Sequence, residues 1–389
     1  MRPFERVVLV VLDSLGIGAQ PDAAAWGDAG RDTLGHIAER RGLKIPNFAR
    51  LGLANIRPLS GVDPVPSPEG AYGKATLLSP GKDTTAGHWE MAGIILDHPF
   101  PTYPHGFPRD LMDRFEKAIE RGTLGNYPAS GTEIIKQLGE EHLRTGRPIV
   151  YTSGDSVFQV AAHEDVIPIE ELYRICRIAR NLLQRPHRVG RVLARPFTGP
   201  PGSFRRTERR HDYAVQPPRP MLLDLLTEAG LEVTGVGKIS DIFLGRGISR
   251  SLPGHNNREA LESTVSALDT AQAGLVFTNL VDFDMLYGHR LDIEGYGRAI
   301  EEVDAFLTRL LSALAPGDLL ILTADHGCDP AGPSTDHSRE YVPVLATSPG
   351  AARAVNLGTR ASLSDLGATI AQNFSLELVR GTSFLAQIT

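Results

Sequence analysis

The chain has 389 residues, 41% of them hydrophobic and 22% charged, and a formal net charge of −6. This length is too great for one small core and predicts two domains, or one domain with a large insert. The acidic balance argues against a nucleic-acid partner, the lack of an apolar run of about 20 residues argues against a membrane partner, and two cysteines are too few for a disulfide framework. We therefore expect a cytoplasmic protein.

The chain begins with a strand that ends in a carboxylate. The continuous aliphatic run 6–12 is typical of a strand buried on both faces. Asp13 follows it at the position where open α/β sheets place their functional groups, although a helix cap or a turn is an equally open role. A helix is predicted over Thr33–Arg41, and the stretch 61–79, rich in proline and glycine, is predicted to be a loop.

A candidate phosphoryl acceptor follows at residues 81–90, Gly-Lys-Asp-Thr-Thr-Ala-Gly-His-Trp-Glu. Two hydroxyls, those of Thr84 and Thr85, stand where a helix is expected to begin. Helix N-termini present unpaired N–H groups and the positive end of a dipole to anions, so a threonine there can accept and release a phosphoryl group. The alternative is that Thr84, Thr85 or Asp83 is simply the N-cap.

Prolines mark both ends of a middle segment. Four prolines lie between 99 and 108, and the segment closes at Pro217, Pro218 and Pro220. Between these clusters the sequence predicts helices over 108–122, 132–145 and 169–183, and strands over 149–152 and 189–195. We predict that residues 100–216 form an inserted α/β domain and that 1–99 and 217–389 form the main domain.

After the insert, helices and strands alternate. The predicted helices are 221–229, 259–268 and 296–314, and the predicted strands are 232–237, 275–281, 319–323 and 341–347. Strands that alternate with helices imply right-handed crossovers, so a largely parallel sheet is expected.

Clusters of aspartate and histidine fall mostly just past predicted strands: Asp284 with His289, Asp325 with His326, and Asp336 with His337. Because the carboxyl ends of parallel strands share one edge of a sheet, we expect these clusters to converge with Asp13. Mixed oxygen and nitrogen ligands suit Mn, Zn or Fe, and the number of ligands, with a threonine oxygen added, favours two ions that clamp a transferring phosphoryl group. Any one cluster by itself is more often a hydrogen-bonded turn.

The motifs also point to a family. In chain order they are Val-Leu-Asp-Ser-Leu-Gly-Ile-Gly at 11–18, the stretch 81–90, Tyr-Thr-Ser-Gly-Asp-Ser at 151–156, Arg-His-Asp-Tyr at 210–213, Gly-Lys-Ile-Ser-Asp at 237–241, Val-Asp-Phe-Asp at 281–284, Thr-Ala-Asp-His-Gly at 323–327 and Thr-Asp-His at 335–337. This set resembles that of the phosphopentomutases in the alkaline phosphatase superfamily, along essentially the whole chain. The resemblance implies an alkaline phosphatase-like α/β core with a largely parallel sheet, and an inserted α/β cap domain.

The resemblance further implies two Mn²⁺ ions and a threonine that carries the phosphoryl group. Thr84 would be that carrier and would also contact the second ion. The first ion would be held by Asp284, His289 and His337, and the second by Asp13, Asp325 and His326.

For substrate binding, the resemblance implies five residues: Ser153, Asp155, Arg191, Arg206 and Lys238. An arginine fork matches a phosphate group, and a carboxylate can accept hydrogen bonds from sugar hydroxyls. Other basic residues nearby remain open alternatives, namely Arg195, Arg205, Arg209 and Arg210.

Two positions depart from the family pattern. The family motif Asp-Thr-x-Thr-Gly has its second threonine where this chain has Ala86, which leaves Thr85 as an alternative carrier. Cys328 follows Asp-His-Gly, where the family usually has asparagine. A thiolate there could bind a soft metal, and the alternative is a small buried side chain that is not a ligand.

The activity implied is interconversion of ribose or deoxyribose 1-phosphate and 5-phosphate through a phosphothreonine enzyme and a bisphosphate intermediate, with a sugar bisphosphate activator such as glucose 1,6-bisphosphate. Three alternatives are a phosphatase or phosphodiesterase of the same superfamily, a metal-dependent phosphoglycerate mutase, which carries its phosphoryl group on serine, and a non-catalytic metal- or sugar-phosphate-binding protein. The sequence does not predict an oligomeric state or a preference between the two pentoses.

Overall fold

The computed structural model describes residues 2–217, 220–270, 272–349 and 354–389. Pro218, one of the prolines predicted to close the insert, lies outside these residues. The chain divides into two compact units: Met1–Pro99 with Pro217–Thr389, and Phe100–Gln216. Among the described helices none is long and apolar enough to cross a membrane.

The strands, numbered in chain order, are β1 (Arg6–Leu12), β2 (Ala71–Ala75), β3 (Leu124–Pro128), β4 (Ile149–Thr152), β5 (Val157–His163), β6 (Arg191–Thr198), β7 (Arg205–Arg206), β8 (His211–Ala214), β9 (Glu232–Val236), β10 (Arg250–Leu252), β11 (Gly274–Leu280), β12 (Asp318–Thr323), β13 (Val342–Thr347) and β14 (Asn356–Arg360).

The α-helices are α1 (Thr33–Arg41), α2 (Pro46–Arg50), α3 (Leu53–Ile56), α4 (Thr84–Met91), α5 (Arg109–Ile119), α6 (Gly131–Thr145), α7 (Ile169–Leu182), α8 (Leu222–Glu228), α9 (Ile239–Ile242), α10 (Asn257–Thr270), α11 (Ile293–Ala313), α12 (Ser364–Asn373) and α13 (Leu385–Ile388). Short non-α turns cover Ala23–Trp26, Phe283–Tyr287 and Gly288–Arg290.

The first unit is built on an eight-stranded sheet in the order β10-β9-β11-β1-β12-β13-β2-β14. Every paired neighbour is parallel except along β13, which runs antiparallel to both β12 and β2. Central strands β1, β11 and β12 are buried along almost their full length, as their aliphatic runs predict. The expected largely parallel α/β sheet is therefore confirmed.

The predicted loop 61–79 was wrong in part, because it contains strand β2. Apart from Tyr72, the residues of β2, Ala-Tyr-Gly-Lys-Ala, have little β-propensity, and no aliphatic run marks them in the sequence. Gly73 has a structural reason to be glycine: a Cβ atom there would lie 2.6 Å from the carbonyl oxygen of Gly358 in β14. The neighbouring strand β14 and helix α12 are further elements that the sequence patterns did not predict.

The second unit is a six-stranded mixed sheet with helices on both faces. Strands run in the order β3-β4-β5-β6-β7, and β8 pairs with β6. Helices α5 and α7 pack on one apolar cluster, which includes Phe115, Phe158 and Ile175, whereas α6 packs on a second cluster, which includes Ile134 and Phe197. Strands β3, β5, β7 and β8 are additional to the two strands predicted for this segment.

A buried asparagine ties the start of the chain to its last long helix. Asn373 Oδ1 accepts a 2.9 Å hydrogen bond from the Phe4 N–H, and Asn373 Nδ2 donates a 2.8 Å bond to the Phe4 carbonyl. Both residues are buried. The pair fixes the chain just before β1, the strand at the centre of the sheet.

We expect Asn373→Ala to lower the free energy of unfolding of the first unit by about 1–3 kcal/mol, because it leaves a buried N–H and a buried carbonyl without partners. Tryptophan fluorescence during urea unfolding measures this unit, since Trp26 and Trp89 are the two tryptophans of the chain. Gln372→Ala, an exposed change at the preceding position of α12, is the control. Equal stability of the two variants would contradict the assigned role.

Candidate active site

The candidate site lies at one edge of the sheet of the first unit. Strands β9, β11, β1 and β12 are parallel neighbours, so their carboxyl ends share this edge. Asp13 follows β1, Asp284 follows β11, and Asp325 and His326 follow β12. Because β13 runs antiparallel to β12, its amino end lies at the same edge, and His337 precedes it.

Asp284, His289 and His337 form one group of potential metal ligands, brought together by the turns at 283–290. His289 Nε2 lies 3.3 Å from Asp284 Oδ2, His337 Nε2 lies 3.1 Å from Asp284 Oδ1, and the two Nε2 atoms are 3.2 Å apart. Ligand atoms about 2.0–2.2 Å from one tetrahedral ion are about 3.3–3.6 Å apart, so these separations suit a single ion. His289 Nδ1 faces the Thr335 carbonyl at 2.6 Å, which directs Nε2 toward the group.

Asp13, Asp325 and His326 form a second group, buried and with donor atoms within 4.8 Å of one another. His326 Nε2 is 3.7 Å from Asp13 Oδ1 and 3.5 Å from Asp325 Oδ2. The other ring nitrogen, Nδ1, lies 3.0 Å from the Gly327 carbonyl, to which it can donate. His326 also groups with Asp284 and His337, so it lies between the two sets.

The charge balance of these groups fits divalent cations. Within the described part of the chain, Asp13 Oδ1, Asp284 Oδ1 and Asp325 Oδ2 are buried and accept no hydrogen bond. Burial, and then the charges of Asp325 and Asp284, raise the pKa of Asp13 well above its usual value. Several buried carboxylates are costly unless cations compensate them, and clustered oxygen and nitrogen donors are what such a cation requires.

The two sets of histidines differ in their electrostatic surroundings. Burial lowers the pKa of His326 to about 4, so its imidazole is neutral near pH 7 and its Nε2 lone pair is available. Hydrogen bonds with Asp284 and Cys328 raise the pKa of His289 to about 12. The same carboxylate field that holds a proton on His289 attracts a metal cation.

Thr84 is the first residue of α4 and points to the second ligand group. The helix is capped by Asp83, whose Oδ1 accepts a 3.0 Å bond from the Ala86 N–H. The Thr84 hydroxyl is therefore not needed as a cap, and its Oγ1 lies 3.3 Å from His326 Nε2. In the described residues the Thr85 hydroxyl makes no such contact, and Ala86 is fully buried.

His88 and Asn279 belong to the site although sequence reasoning did not single them out. His88 Nδ1 lies 2.9 Å from the Thr84 carbonyl, one turn earlier in α4, and 3.2 Å from Asp325 Oδ2. Asn279 Nδ2 donates a 3.0 Å bond to Asp13 Oδ2. The four-residue spacing of Thr84 and His88 was a signal in the sequence, because such residues share a helix face.

The Glu90 side chain explains the end of the His-Trp-Glu motif. Its buried carboxylate accepts bonds from the Leu78 and Ser79 N–H groups, at 2.8 and 2.6 Å, and from the Ser362 hydroxyl at 2.8 Å. It thereby anchors the loop that leads into α4. Trp89 is buried in the same helix, and its Nε1 donates to the Ile242 carbonyl at 3.4 Å.

Arg339 and Lys82 link the loop before Thr84 to the loop that carries His337. Buried Arg339 donates through Nη1 to the carbonyls of Ser79 and Gly81, at 2.7 and 2.6 Å. Lys82 Nζ lies 3.0 Å from Asp28 Oδ2 and 3.4 Å from Asp336 Oδ2, next to His337. These contacts set the position of the helix start relative to the ligands.

Lys238, the substrate-binding candidate in the first unit, follows β9 and is the N-terminal flanking residue of α9. Its positive charge acts to lower the pKa of both Asp13 and Asp282, although burial of each carboxyl raises that pKa by more. Lys238 therefore lies near enough to the ligand groups for its charge to act on them.

Three substrate-binding candidates of the second unit lie close together. Ser153 and Asp155 occupy the turn between β4 and β5, where Ser153 Oγ accepts a 3.3 Å bond from the Asp155 N–H. Arg191 begins β6 beside this turn, and its N–H donates to the Ser156 carbonyl at 3.3 Å. The Arg191 side chain is 41% exposed and lies 3.8 Å from Asp212 Oδ2, so it is open to a ligand.

Arg206 is separated from that turn along the sheet. It pairs with Phe197, whereas Arg191 pairs with Val157 at the other end of β6. The backbones of Arg191 and Phe197 are about 20 Å apart at the rise of a β-strand. The Arg206 side chain extends toward Gly131 at the start of α6.

Of the alternative arginines in the second unit, two are engaged in ion pairs. Arg209 pairs with Glu164, and Arg210 contacts both carboxylate oxygens of Asp212 at 2.8 and 2.6 Å. Arg195 is half-buried on the α6 side of the sheet, where its Nε donates to Gln159 Oε1 at 3.1 Å. Arg205, exposed in β7 opposite Thr198, stays an open alternative beside Arg191 and Arg206.

Comparisons with known proteins identify the family of the chain. A family profile described as the Metalloenzyme superfamily matches residues 5–378. A phosphopentomutase of Carboxydothermus hydrogenoformans is 57% identical over 386 residues, which cover 99% of this chain and 100% of that protein. A phosphopentomutase of Caldanaerobacter subterraneus subsp. tengcongensis is 56% identical over 386 residues, which cover 99% of this chain and 98% of that protein.

A solved structure supports the fold alone. The PH0037 protein from Pyrococcus horikoshii superposes with a TM-score of 0.50 and 16% identity over 98% of this chain and 100% of that chain. The sequence relatives are far more similar, and their likeness extends over almost the full length of both proteins. This chain therefore belongs to the phosphopentomutase family of the metalloenzyme superfamily, as its motifs indicated.

Proposed function

We propose that this protein is a phosphopentomutase that interconverts ribose or deoxyribose 1-phosphate and 5-phosphate through a phosphothreonine at Thr84 and a pentose bisphosphate. The observation that carries the proposal is the Thr84 hydroxyl at the start of α4, 3.3 Å from His326 Nε2 and beside two groups of metal-ligand side chains. The names of the full-length relatives support the same reaction class.

In the proposed reaction, the free hydroxyl of the sugar monophosphate attacks the phosphorus atom on Thr84. The bond from phosphorus to Thr84 Oγ breaks, and the proton of the sugar hydroxyl ends on that Oγ. The resulting bisphosphate reorients and returns its other phosphoryl group to Thr84, which regenerates the enzyme. A sugar bisphosphate such as glucose 1,6-bisphosphate would load Thr84 at the start, which accounts for the expected activator.

We assign two Mn²⁺ ions to the site, one held by Asp284, His289 and His337 and the other by Asp13, Asp325 and His326. When bound, such ions lower the pKa of the threonine hydroxyl and neutralise charge on the transferring phosphoryl group. The protein itself positions the ligand side chains and the reacting hydroxyl. Asn279 and His88 orient Asp13, Asp325 and the Thr84 backbone, and the N–H groups of the first turn of α4 favour an anion.

The proposal also covers the second unit, residues 100–216, as a cap domain that binds substrate. Its candidates are Ser153, Asp155, Arg191 and Arg206, and Lys238 is the candidate from the first unit. A mutase must keep water from the phosphothreonine, because hydrolysis would otherwise make it a phosphatase. We propose a cytoplasmic location and a sugar-phosphate substrate as the partner, without nucleic acid or membrane.

We expect the purified protein with Mn²⁺ and a sugar bisphosphate to convert ribose 1-phosphate to ribose 5-phosphate, followed by a coupled assay. Inorganic phosphate is measured in parallel. Steady phosphate release from ribose 5-phosphate with no ribose 1-phosphate formed would establish the phosphatase alternative instead. Phosphoryl transfer on phosphoglycerate, with none on pentose phosphates, would establish the phosphoglycerate mutase alternative.

Thr84→Ala is expected to lower mutase activity by more than about a thousandfold and to leave metal content nearly unchanged, because it removes the acceptor oxygen and no metal-binding carboxylate or imidazole. Thr84→Ser, which keeps a hydroxyl, should recover part of the activity. Thr85→Ala is the matched control and should keep most of it. A dead Thr85→Ala variant beside an active Thr84→Ala variant would move the carrier to Thr85.

His289→Ala and Asp284→Asn are each expected to lose one of two metal equivalents, because each removes a ligand of the same ion. Elemental analysis after equilibrium dialysis against Mn²⁺ gives the stoichiometry. His255→Ala removes an imidazole that is 82% exposed and should retain both equivalents. Unchanged stoichiometry in the first two variants would overturn the ligand assignment.

A further inference from the structure

Cys328 lies directly against the turn that carries two of the metal-ligand candidates. A Cβ atom built on Gly288 would lie 2.8 Å from Cys328 Sγ, so only glycine at this position leaves room for the sulfur beside the turn. The Cys328 N–H donates to the Ser14 carbonyl and to Thr33 Oγ1, each at 3.1 Å. The backbone at Cys328 is therefore fixed by hydrogen bonds to two other segments of the chain.

The sulfur is also within reach of an ion bound by that turn. Donor atoms of Cys328, Asp284 and His289 lie within 4.8 Å of one another, and the sulfur and the His289 ring are hydrogen-bonding neighbours. In a tetrahedral site, a sulfur about 2.3 Å from the ion and an oxygen or nitrogen about 2.0–2.2 Å from it are about 3.5–3.7 Å apart. Side-chain rotation that brings the three donor atoms to such separations would let one ion contact all three.

A second observation is a buried carboxylate oxygen in the same group that accepts no hydrogen bond and is therefore available to a cation. Asp284 is 6% exposed, and its Oδ1 accepts no hydrogen bond within the described residues, although His337 Nε2 is 3.1 Å away. The Cys328 thiol also makes a weak 3.7 Å contact to the Asp336 carbonyl, which the sulfur can give up at little cost.

We propose that Cys328 is a further ligand of the ion held by Asp284, His289 and His337, and that its sulfur shifts the preference of this position toward softer divalent cations such as Zn²⁺ and Co²⁺. On binding, the thiol releases its proton to solvent and the thiolate contacts the metal. Thiolate with imidazole and one carboxylate is a donor set that suits Zn²⁺, whereas Mn²⁺ is better served by oxygen donors. The second position, with Asp13, Asp325 and His326, has no sulfur and keeps the harder preference. The inference rests on the proposed metal site and concerns its chemistry alone.

Cobalt absorption tests the proposal without an activity assay. Apoprotein is titrated with Co²⁺, bound Co²⁺ is counted by equilibrium dialysis, and the near-ultraviolet charge-transfer band of a cobalt–thiolate bond is recorded. We expect the band in the wild type and in Cys176→Ser, which removes the other cysteine, in the core of the second unit. We expect no band in Cys328→Ser or Cys328→Asn, together with at least a tenfold fall in the ratio of Zn²⁺ to Mn²⁺ affinity at one position per chain.

The outcomes separate this inference from the proposed function. Two bound Co²⁺ ions per chain without a thiolate band in the wild type would overturn the role of Cys328 and leave the metal site standing. A band that persists in Cys328→Ser would also overturn it. If the wild type binds no Co²⁺ and no Mn²⁺, both the ligand role of Cys328 and the proposed two-metal function fail. Circular dichroism of each variant establishes that the fold is retained.

Discussion

The main constraint on this structure is that the fold buries three mutually repelling carboxylates at one edge of the sheet. Asp13, Asp284 and Asp325 each follow a strand of the same sheet and each keeps one oxygen without a hydrogen-bond donor among the described residues. Hydrophobic burial of the strands places these groups together, and their charges oppose that placement. A metal cation compensates such charges, and the interleaved imidazoles and the match to a metalloenzyme superfamily both fit one here.

A layer of hydrogen bonds behind the candidate metal ligands holds these side chains in position. Asn279 orients Asp13, His88 bridges the Thr84 backbone and Asp325, and backbone carbonyls face the Nδ1 atoms of His289 and His326. Groups of this kind fix the direction of a ligand lone pair before an ion binds. Helix α4 is held to this layer by the buried Glu90 and by the loop contacts of Arg339, so the Thr84 hydroxyl is positioned by the same network that positions the candidate metal ligands.

Sequence patterns predicted those parts of the fold that are locally distinctive. The aliphatic strands β1, β11 and β12 are recognisable because both of their faces are buried, and their alternation with helices implied the parallel sheet. Strands β2 and β14 were not recognisable. Strand β14 is the edge strand and β2 is its neighbour, and both contain glycine and a charged residue. They form through pairing with each other and, in β2, with β13 rather than through their own propensity.

For the site, the sequence by itself determined the chemistry: aspartates and histidines just past the strand ends, and threonines at the start of a helix. The tertiary structure decided which of these act together. Asp83 takes the role of helix cap and so frees Thr84; antiparallel β13 brings His337 back to the edge that its parallel neighbours define; and close approach at Gly288 sets Cys328 beside Asp284 and His289. Each of these outcomes depends on a hydrogen bond or a close contact whose geometry no local pattern specifies, and most join residues far apart in the chain. The sequence therefore shows which residue types are present, whereas the distances between them that form the site are set only when the strands pair in the folded protein.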